Sequence, residues 1–480
     1  MKNKILLMAV SMALLSGCAA IDQYKKMNAP YVAPQNELPA AWDSNANAIN
    51  ASSQSAEWWK LYNDPVLDDL IKEAQAHNHD LQLAAARILE AEAQFGIVDA
   101  NRYPVVTANG NGSRTGRSLV TSQPIPTTAP RYTNDARFTF NASYELDLWG
   151  KYRQASKAAK AQLLSAQAAR DTVMLSLEAS VAQQYFNLQA ADAAVATSKQ
   201  VIQTRSDTLD LQRLRSDAGK GSDYDIRQAE AELASVESQH ALNLQNQEAV
   251  QAALTVLLGR SPRDVMQSSI ARGELAPTQA LWVPDGLPSD MLLRRPDVVD
   301  AEQKLIAEHA NIAAARAEYF PSISLTAYLG AQSGILSNLF SAGSGIFQFA
   351  AGLAQPIFNA GQLEFRVKAA EARREQALAN YQQTVANAFK DVRDALNAQT
   401  AALSRLEAES KRVIALTETK RLADLRFDAG LLSRLEVLDA DRQLLQAKLA
   451  QIDAQNSQRA AVVSLFKALG GGWDNVASSN

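Results

Sequence analysis

Few residues in this chain could do covalent or metal chemistry, and their spacing argues against most of it. Cys18 is the only cysteine, so no intramolecular disulfide can form. The four histidines, His77, His79, His240 and His309, are scattered along stretches of helical pattern. His77 and His79 alone are close enough in sequence to share an ion, but positions two apart point to different faces of a helix, which leaves them as solvated surface. There is no glycine-rich phosphate loop and no cysteine-rich metal motif. We therefore expect no enzyme activity, no metal and no cofactor. A transport ATPase or proton pump is excluded for the same reason, and any energy must come from a partner.

The one residue left with a chemical role is Cys18, and its setting defines that role. Lys2 and Lys4 precede an apolar run from Ile5 to Leu15, and small residues surround the cysteine, the pattern of an export signal. Leu15-Ser16-Gly17-Cys18 resembles the lipobox of bacterial lipoproteins, whose cysteine is acylated on sulfur and, after cleavage before it, on the new amino terminus. Each buried acyl methylene contributes about 0.8 kcal/mol, so several chains on one residue give lasting attachment. In lipoproteins an Asp after the cysteine usually means inner-membrane retention; Ala19 stands here, so the resemblance implies the outer membrane. Loss of residues 1–17 removes Lys2 and Lys4 and takes the net charge from −4 to −6, which disfavours nucleic-acid partners.

What positions such an anchor is a chain of 480 residues, 47% hydrophobic and 20% charged. With a mean hydropathy of −0.20, it cannot be a bundle of membrane-spanning helices, each of which needs about 20 nearly uninterrupted apolar residues. Instead the chain repeats itself. "LRSDAG" at 214–219 returns as "LRFDAG" at 425–430, and a shift of 211 also carries Gly150 to Gly361 and Ser222 to Ser433. Upstream the shift is 217: Asp80 falls on Asp297, and Tyr103-Pro104 on Phe320-Pro321. Each half reads in one order. A helix (65–101, 289–319) is stopped by a Pro. Two extended segments follow, then a stretch without Gly or Pro (151–218, 362–429) that would be ~100 Å long as a helix, and then a return helix (222–258, 433–469).

Helical patterns of that length point to a supercoil. Met174, Leu177, Val181, Tyr185 and Leu188 step by three or four, as do Leu378, Tyr381, Val385, Phe389, Val392 and Leu396. Interleaved alanines (Ala158, Ala159, Ala166, Ala169, Ala179, Ala182) allow close helix approach on more than one side. At the turns, Gly219 and Gly430 suit a left-handed residue just past a helix end. Ser222 with Asp225, and Ser433 with Glu436, have the spacing of capping boxes.

The extended segments are set at about 104–113, 132–148, 321–332 and 346–357. In "ARFTFNASYELDLWG", Phe138, Phe140, Ala142, Tyr144, Leu146 and Leu148 share one face and Thr139, Asn141, Ser143, Glu145 and Asp147 the other. Ile323, Leu325, Ala327 and Leu329 alternate likewise with Ser322, Ser324, Thr326 and Tyr328. Strict alternation over about 10 residues marks a transmembrane β-barrel strand. Four strands cannot close a barrel, since about eight is the minimum, and an open edge in lipid leaves backbone groups without partners. Copies must therefore share one barrel; geometry alone permits a dimer of eight strands or a trimer of twelve. Segments 113–131 and 334–345 read as external loops.

Trp58-Trp59 with Asp64-Pro65, "YELDLWGKYR" at 144–153, "LRRPD" at 293–297, "QPIFNAGQL" at 355–363, "LEVLDADR" at 435–442 and "LGGGW" at 469–473 resemble the TolC-like outer-membrane factors, exit ducts of tripartite efflux pumps, in their lipoprotein branch. The resemblance covers nearly all of the mature chain. It implies a mainly α fold with membrane β: a homotrimer sharing a twelve-stranded transmembrane barrel, four strands per chain, continued by a long periplasmic α-helical barrel. It divides the chain into a signal peptide (1–17), a lipidated segment and equatorial belt (18–63), repeat 1 (64–258, tip at 219–222), an equatorial connector (259–288), repeat 2 (289–469, tip at 430–433) and an equatorial tail (470–480). The implied partners are a periplasmic adaptor protein, an inner-membrane pump of the RND type and outer-membrane lipid. Carried over by position, Leu435 forms an apolar constriction and Asp439 a ring of carboxylates whose mutual repulsion raises their pKa. Arg426 and Arg442 tie the tips inward, and the tips around Gly219, Ser222, Gly430 and Ser433 dock the adaptor. Many relatives have Tyr where this chain has Phe427, so a hydroxyl tie is absent and the gate is held more loosely. The competing reading is a periplasmic adaptor or envelope-bridging scaffold lipoprotein, from which one hairpin flanked by other domains, rather than a duplicated one, would be expected.

Overall fold

The computed structural model describes residues 30–34, 57–120, 129–267, 269–273 and 289–471. Cys18, the signal segment 1–17, and most of 18–63, 274–288 and 472–480 lie outside the described residues. The described elements are α1 (Pro65–His77), α2 (His79–Ala100), β1 (Val105–Gly116), β2 (Tyr132–Leu146), α3 (Lys151–Asp217), α4 (Asp223–Leu257), α5 (Pro262–Gln267), α6 (Pro296–Ala317), β3 (Ser322–Ser333), β4 (Gly345–Ala354), α7 (Gln362–Asp428) and α8 (Arg434–Ala468). Short 3₁₀ turns stand at Trp58–Tyr62, Ser289–Arg294 and Leu336–Asn338. Helices α3 and α7 have 67 residues each, and α4 and α8 have 35 each. Among the described residues no helix is long and apolar enough to cross a membrane.

The chain clusters into two compact units. The first holds residues 88–166 and 301–381, including one antiparallel sheet in the order β1-β2-β3-β4. Alternation sets this register: Phe140 faces Leu329 and Ala142 faces Ala327 on one side, while Asn141 faces Tyr328 and Ser143 faces Thr326 on the other. At the foot of the sheet Trp149 stacks on Phe320, 4.8 Å between centroids, and its Nε1–H donates to the Pro321 carbonyl at 2.8 Å. Asp147 leaves the strand to accept from the N–H groups of Tyr152 (3.2 Å) and Arg153 (2.8 Å), capping the start of α3. The "YELDLWGKYR" motif is thus a strand-to-helix joint.

The second unit, residues 36–87, 167–300 and 382–480, carries the main core. Trp58, Leu67, Ile71, Tyr185, Leu188, Leu254, Leu258, Leu465 and Phe466 pack together with almost no exposure. Trp58 stacks on Phe466 at 5.4 Å. Asp64 caps α1 by accepting from Val66 N–H (2.9 Å) and also from the Tyr185 hydroxyl (2.6 Å). Arg295 of the "LRRPD" motif is buried; it donates to Asp297 and, at 2.6 Å, to the Ala468 carbonyl at the end of α8. Gly470, at φ +88, turns the chain against that arginine.

Hairpin packing follows from small residues at sevens. Ala440, Ala447, Ala454, Ala461 and Ala468 are all buried, and a strict heptad of this kind keeps one stripe against its neighbour only if the helices wind about each other with a left-handed twist. On α3 the stripe is more polar: Ala191, Ser198, Arg205 and Gln212, also seven apart, are each buried.

Several expected boundaries move, each for a visible reason. The helix read at 65–101 is two helices, because Asn78 adopts an extended backbone and its Oδ1 caps α2 through Asp80 N–H at 2.9 Å. Gly259 presses there so closely that a Cβ would lie 2.1 Å from the His77 carbonyl oxygen. The helix read at 289–319 begins as a 3₁₀ turn and becomes α only at Pro296. Strand β1 runs to Gly116, shortening the first loop. Strand β4 stops at Ala354 rather than 357, just before Pro356, which lacks the N–H a ladder needs.

Glu178 is buried in the second unit, where Gln75 Nε2 donates to its Oε1 at 2.8 Å. Burial pushes its pKa up to about 7, with the Gln75 bond opposing. A carboxyl raised above its unfolded value of 4.5 makes no difference to stability below that pH and weakens the fold as pH rises from there to about 7. Over that window the loss is on the order of 3 kcal/mol. Glu178→Gln is expected to raise the melting temperature at pH 8 and leave it unchanged at pH 4; equal effects at both pH values would show that the carboxylate is not desolvated.

Candidate functional site

The hairpin ends are built by the backbone. Past α3, the N–H of Gly219 bonds to the Ser216 carbonyl (2.9 Å) and that of Lys220 to Arg215 (2.8 Å); past α7, Gly430 bonds to Phe427 (2.9 Å) and Leu431 to Arg426 (2.8 Å). This is the Schellman pattern, and it places Gly219 at φ +69 and Gly430 at φ +71. Nothing lies within 4 Å of a Cβ at either position, so backbone geometry alone asks for glycine. The caps differ. Glu436 reaches back to accept from Ser433 N–H at 2.9 Å and from its hydroxyl at 2.8 Å. Ser222 caps α4 through Tyr224 N–H at 3.2 Å, and the expected reciprocal bond from Asp225 is replaced by its own N–H bonding to the Ser222 carbonyl. Asp is one methylene shorter than Glu and does not span the return.

The residues assigned to a gate fall into two groups. Leu435, Asp439 and Arg442 step along one face of α8; Leu435 is 63% exposed, and Arg442 and Gln443 both donate to Asp439. Those two bonds hold the Asp439 carboxyl below the usual carboxylate range. Within one chain the direction is therefore opposite to the rise expected of a carboxylate ring, because Arg442 meets the charge first. Phe427 points elsewhere: it packs with Leu432 against Ala423, Val437 and Ala440, with the Arg434 guanidinium 5.4 Å from its ring centre. Arg426 holds the turn through its carbonyl, and its side-chain charge acts on Glu436. His79 Nδ1 lies 3.4 Å from Gln82 Oε1, and the described residues contain no metal-binding group of His, Cys, Asp and Glu.

Sequence reasoning missed a tie one turn from this face. Arg205 of α3, with 5% of its side chain exposed, donates from Nη1 to Asp441 Oδ2 of α8 at 3.2 Å. Lys420 of α7 stands 3.4 Å from the same carboxylate and pairs with Asp424. The two hairpins are thereby joined two residues from Asp439. The signal was available: Arg205 occupies a heptad position between the buried Ser198 and Gln212, where a charge needs a buried partner.

A four-stranded sheet whose outer edges have no strand partner among the described residues, and a Schellman-capped hairpin built twice, fit an outer-membrane channel protein. A sequence profile described as "Outer membrane efflux protein" matches residues 70–260 and 287–471, and the chain belongs to that family. It is 36% identical over 486 residues to the "Probable efflux pump outer membrane protein TtgC" of Pseudomonas putida, covering 98% of this chain and 96% of that one. It is 33% identical over 472 residues to the "Probable outer membrane lipoprotein SilC" of Salmonella typhimurium, covering 98% and 99%. The solved CmeC outer membrane channel of Campylobacter jejuni superposes with a TM-score of 0.87 at 27% identity, covering 94% of this chain and 95% of that one.

Cutting the tie should loosen the tips. Asp441→Asn leaves Arg205 buried without its counter-charge, at a cost of roughly 3 kcal/mol. Hydrogen exchange across residues 434–445 should then quicken while the Trp58–Phe466 core stays protected; unchanged exchange would show the pair to be solvated. Gly430→Val, which forces a β-branched residue to positive φ, should speed exchange at 426–433 for a different reason, a strained turn.

Proposed function

We propose that the chain is the outer-membrane exit duct of a tripartite efflux pump, a passive gated channel that carries small molecules delivered from the inner membrane to the exterior. Three copies pool four strands each into a twelve-stranded barrel, and their hairpins surround a periplasmic conduit. Cys18 carries the lipid anchor, consistent with the lipoprotein name of the Salmonella relative. A periplasmic adaptor docks at the tips around Gly219, Ser222, Gly430 and Ser433, and an inner-membrane pump of the RND type supplies the energy. The observation that carries this reading is the sheet: four antiparallel strands, β2 and β3 alternating apolar and polar, whose two outer edges have no strand partner among the described residues.

At the periplasmic end, Leu435 narrows the conduit, and Asp439 presents a carboxylate to passing solute on the same helical face. Negative groups repeated around a mouth concentrate cations, and Arg442 tempers that field by its bond to Asp439.

Purified protein added to planar bilayers is expected to give discrete conducting events; failure to conduct would favour an envelope scaffold instead. Asp439→Ala should lower the cation-over-anion permeability ratio at least twofold, whereas an unchanged ratio would remove Asp439 from the mouth.

A further inference from the structure

The strand registers carry the internal repeat down to single residues. Val105 faces Ser143 in the first strand pair and Ser322 faces Ala354 in the second. A shift of 217 on one strand and 211 on the other turns the first pairing into the second. The pairs β1–β2 and β3–β4 are therefore one unit built twice, with the same register.

The junction between units is seen once in the chain, at β2–β3, where Ser143 faces Thr326 and Thr139 faces Gly330. Its repeat equivalent would join β4 to β1. In one chain these are opposite edges of the sheet, three strand spacings or about 14 Å apart. Only a second copy can complete the junction.

We propose that β4 of one copy pairs antiparallel with β1 of the next in the register of the β2–β3 junction, so that Ala354 faces Asn109, Ala350 faces Ser113 and Phe347 faces Gly116. This rests on the oligomeric reading above and adds to it the seam, residue by residue.

Two further observations support that register. The first is stagger. Asn109 faces Thr139, Thr139 faces Gly330, and the repeat counterpart of Gly330 in β1 is Ser113; the register thus advances four residues per unit. Strands of a closed barrel share one tilt and one shear, and a seam in the β2–β3 register keeps that advance of four unbroken around the ring. The second is size. Phe347 and Leu353, 69% and 71% exposed, fall opposite Gly116 and Gly110, and a large side chain covers the bare backbone of a facing glycine. A slip of one residue would instead set the apolar face of β4 against the polar face of β1.

Since Cys18 is the only native thiol, engineered cysteines can be read without background from another internal thiol. In oxidised outer-membrane vesicles, Ala354→Cys with Asn109→Cys should cross-link chain to chain at least tenfold more than Ala354→Cys with Thr107→Cys or with Asn111→Cys, which keep the face and slip by two. Ala350→Cys with Ser113→Cys should repeat the result at a second site. Stronger linking in a slipped pair, or none in any pair within a particle of multimeric mass, overturns the seam while leaving the oligomer intact. A detergent-extracted particle with the mass of one chain overturns the oligomer as well.

Discussion

Backbone N–H and C=O groups cannot be left unpaired in hydrocarbon, where each costs several kcal/mol. The sheet of this chain has two edges, and every residue of β1 is exposed in the single chain. A hairpin repeated within one chain answers that constraint economically. Because the two strand pairs share a register, the trailing edge of one copy has the same relation to the leading edge of the next as β2 has to β3. Identical chains can then close a ring with no dedicated interface segment.

A comparable economy governs the helices. Alanine at every seventh position of α8 brings helices close without asking any side chain to interdigitate, while the cores that fix the fold are concentrated around Trp58, Tyr185 and Phe466. The signature motifs mark joints rather than chemistry. "LRRPD" and the glycines after Leu469 meet at Arg295, and Trp149 meets Phe320 where strands become helices. Where polar groups enter a heptad stripe, they select partners: Arg205 accepts only a geometry that brings Asp441 within reach.

Much of this was legible from residues alone. The duplication, the tip glycines and the alternation of β2 and β3 are local patterns, read from propensity and spacing. What was not legible depends on contacts and boundaries that residue spacing alone does not fix. The break at Asn78 brings Gly259, far away in sequence, against the His77 carbonyl, and β4 ends just before a proline that an alternation pattern does not weigh. The direction of the Asp439 shift is set by Arg442 and Gln443, whose rotamers the sequence does not specify. The Arg205 tie was not legible because its partner, Asp441, lies 236 residues away on another helix; the heptad spacing marks the buried stripe but not what faces it.

The pairing of β2 with β3 also bears on how the chain is made. Each strand pair and each helix hairpin is closed by neighbours in sequence, whereas Thr139 and Gly330 must find one another across a whole helical hairpin. Distant pairings pay their loop entropy before any contact repays it and so come late. During biogenesis the half-built sheet would then expose four ribbon edges instead of two, each a template for promiscuous pairing. Two separate β-ribbons would then stay open to such pairing until the interval between them has coiled.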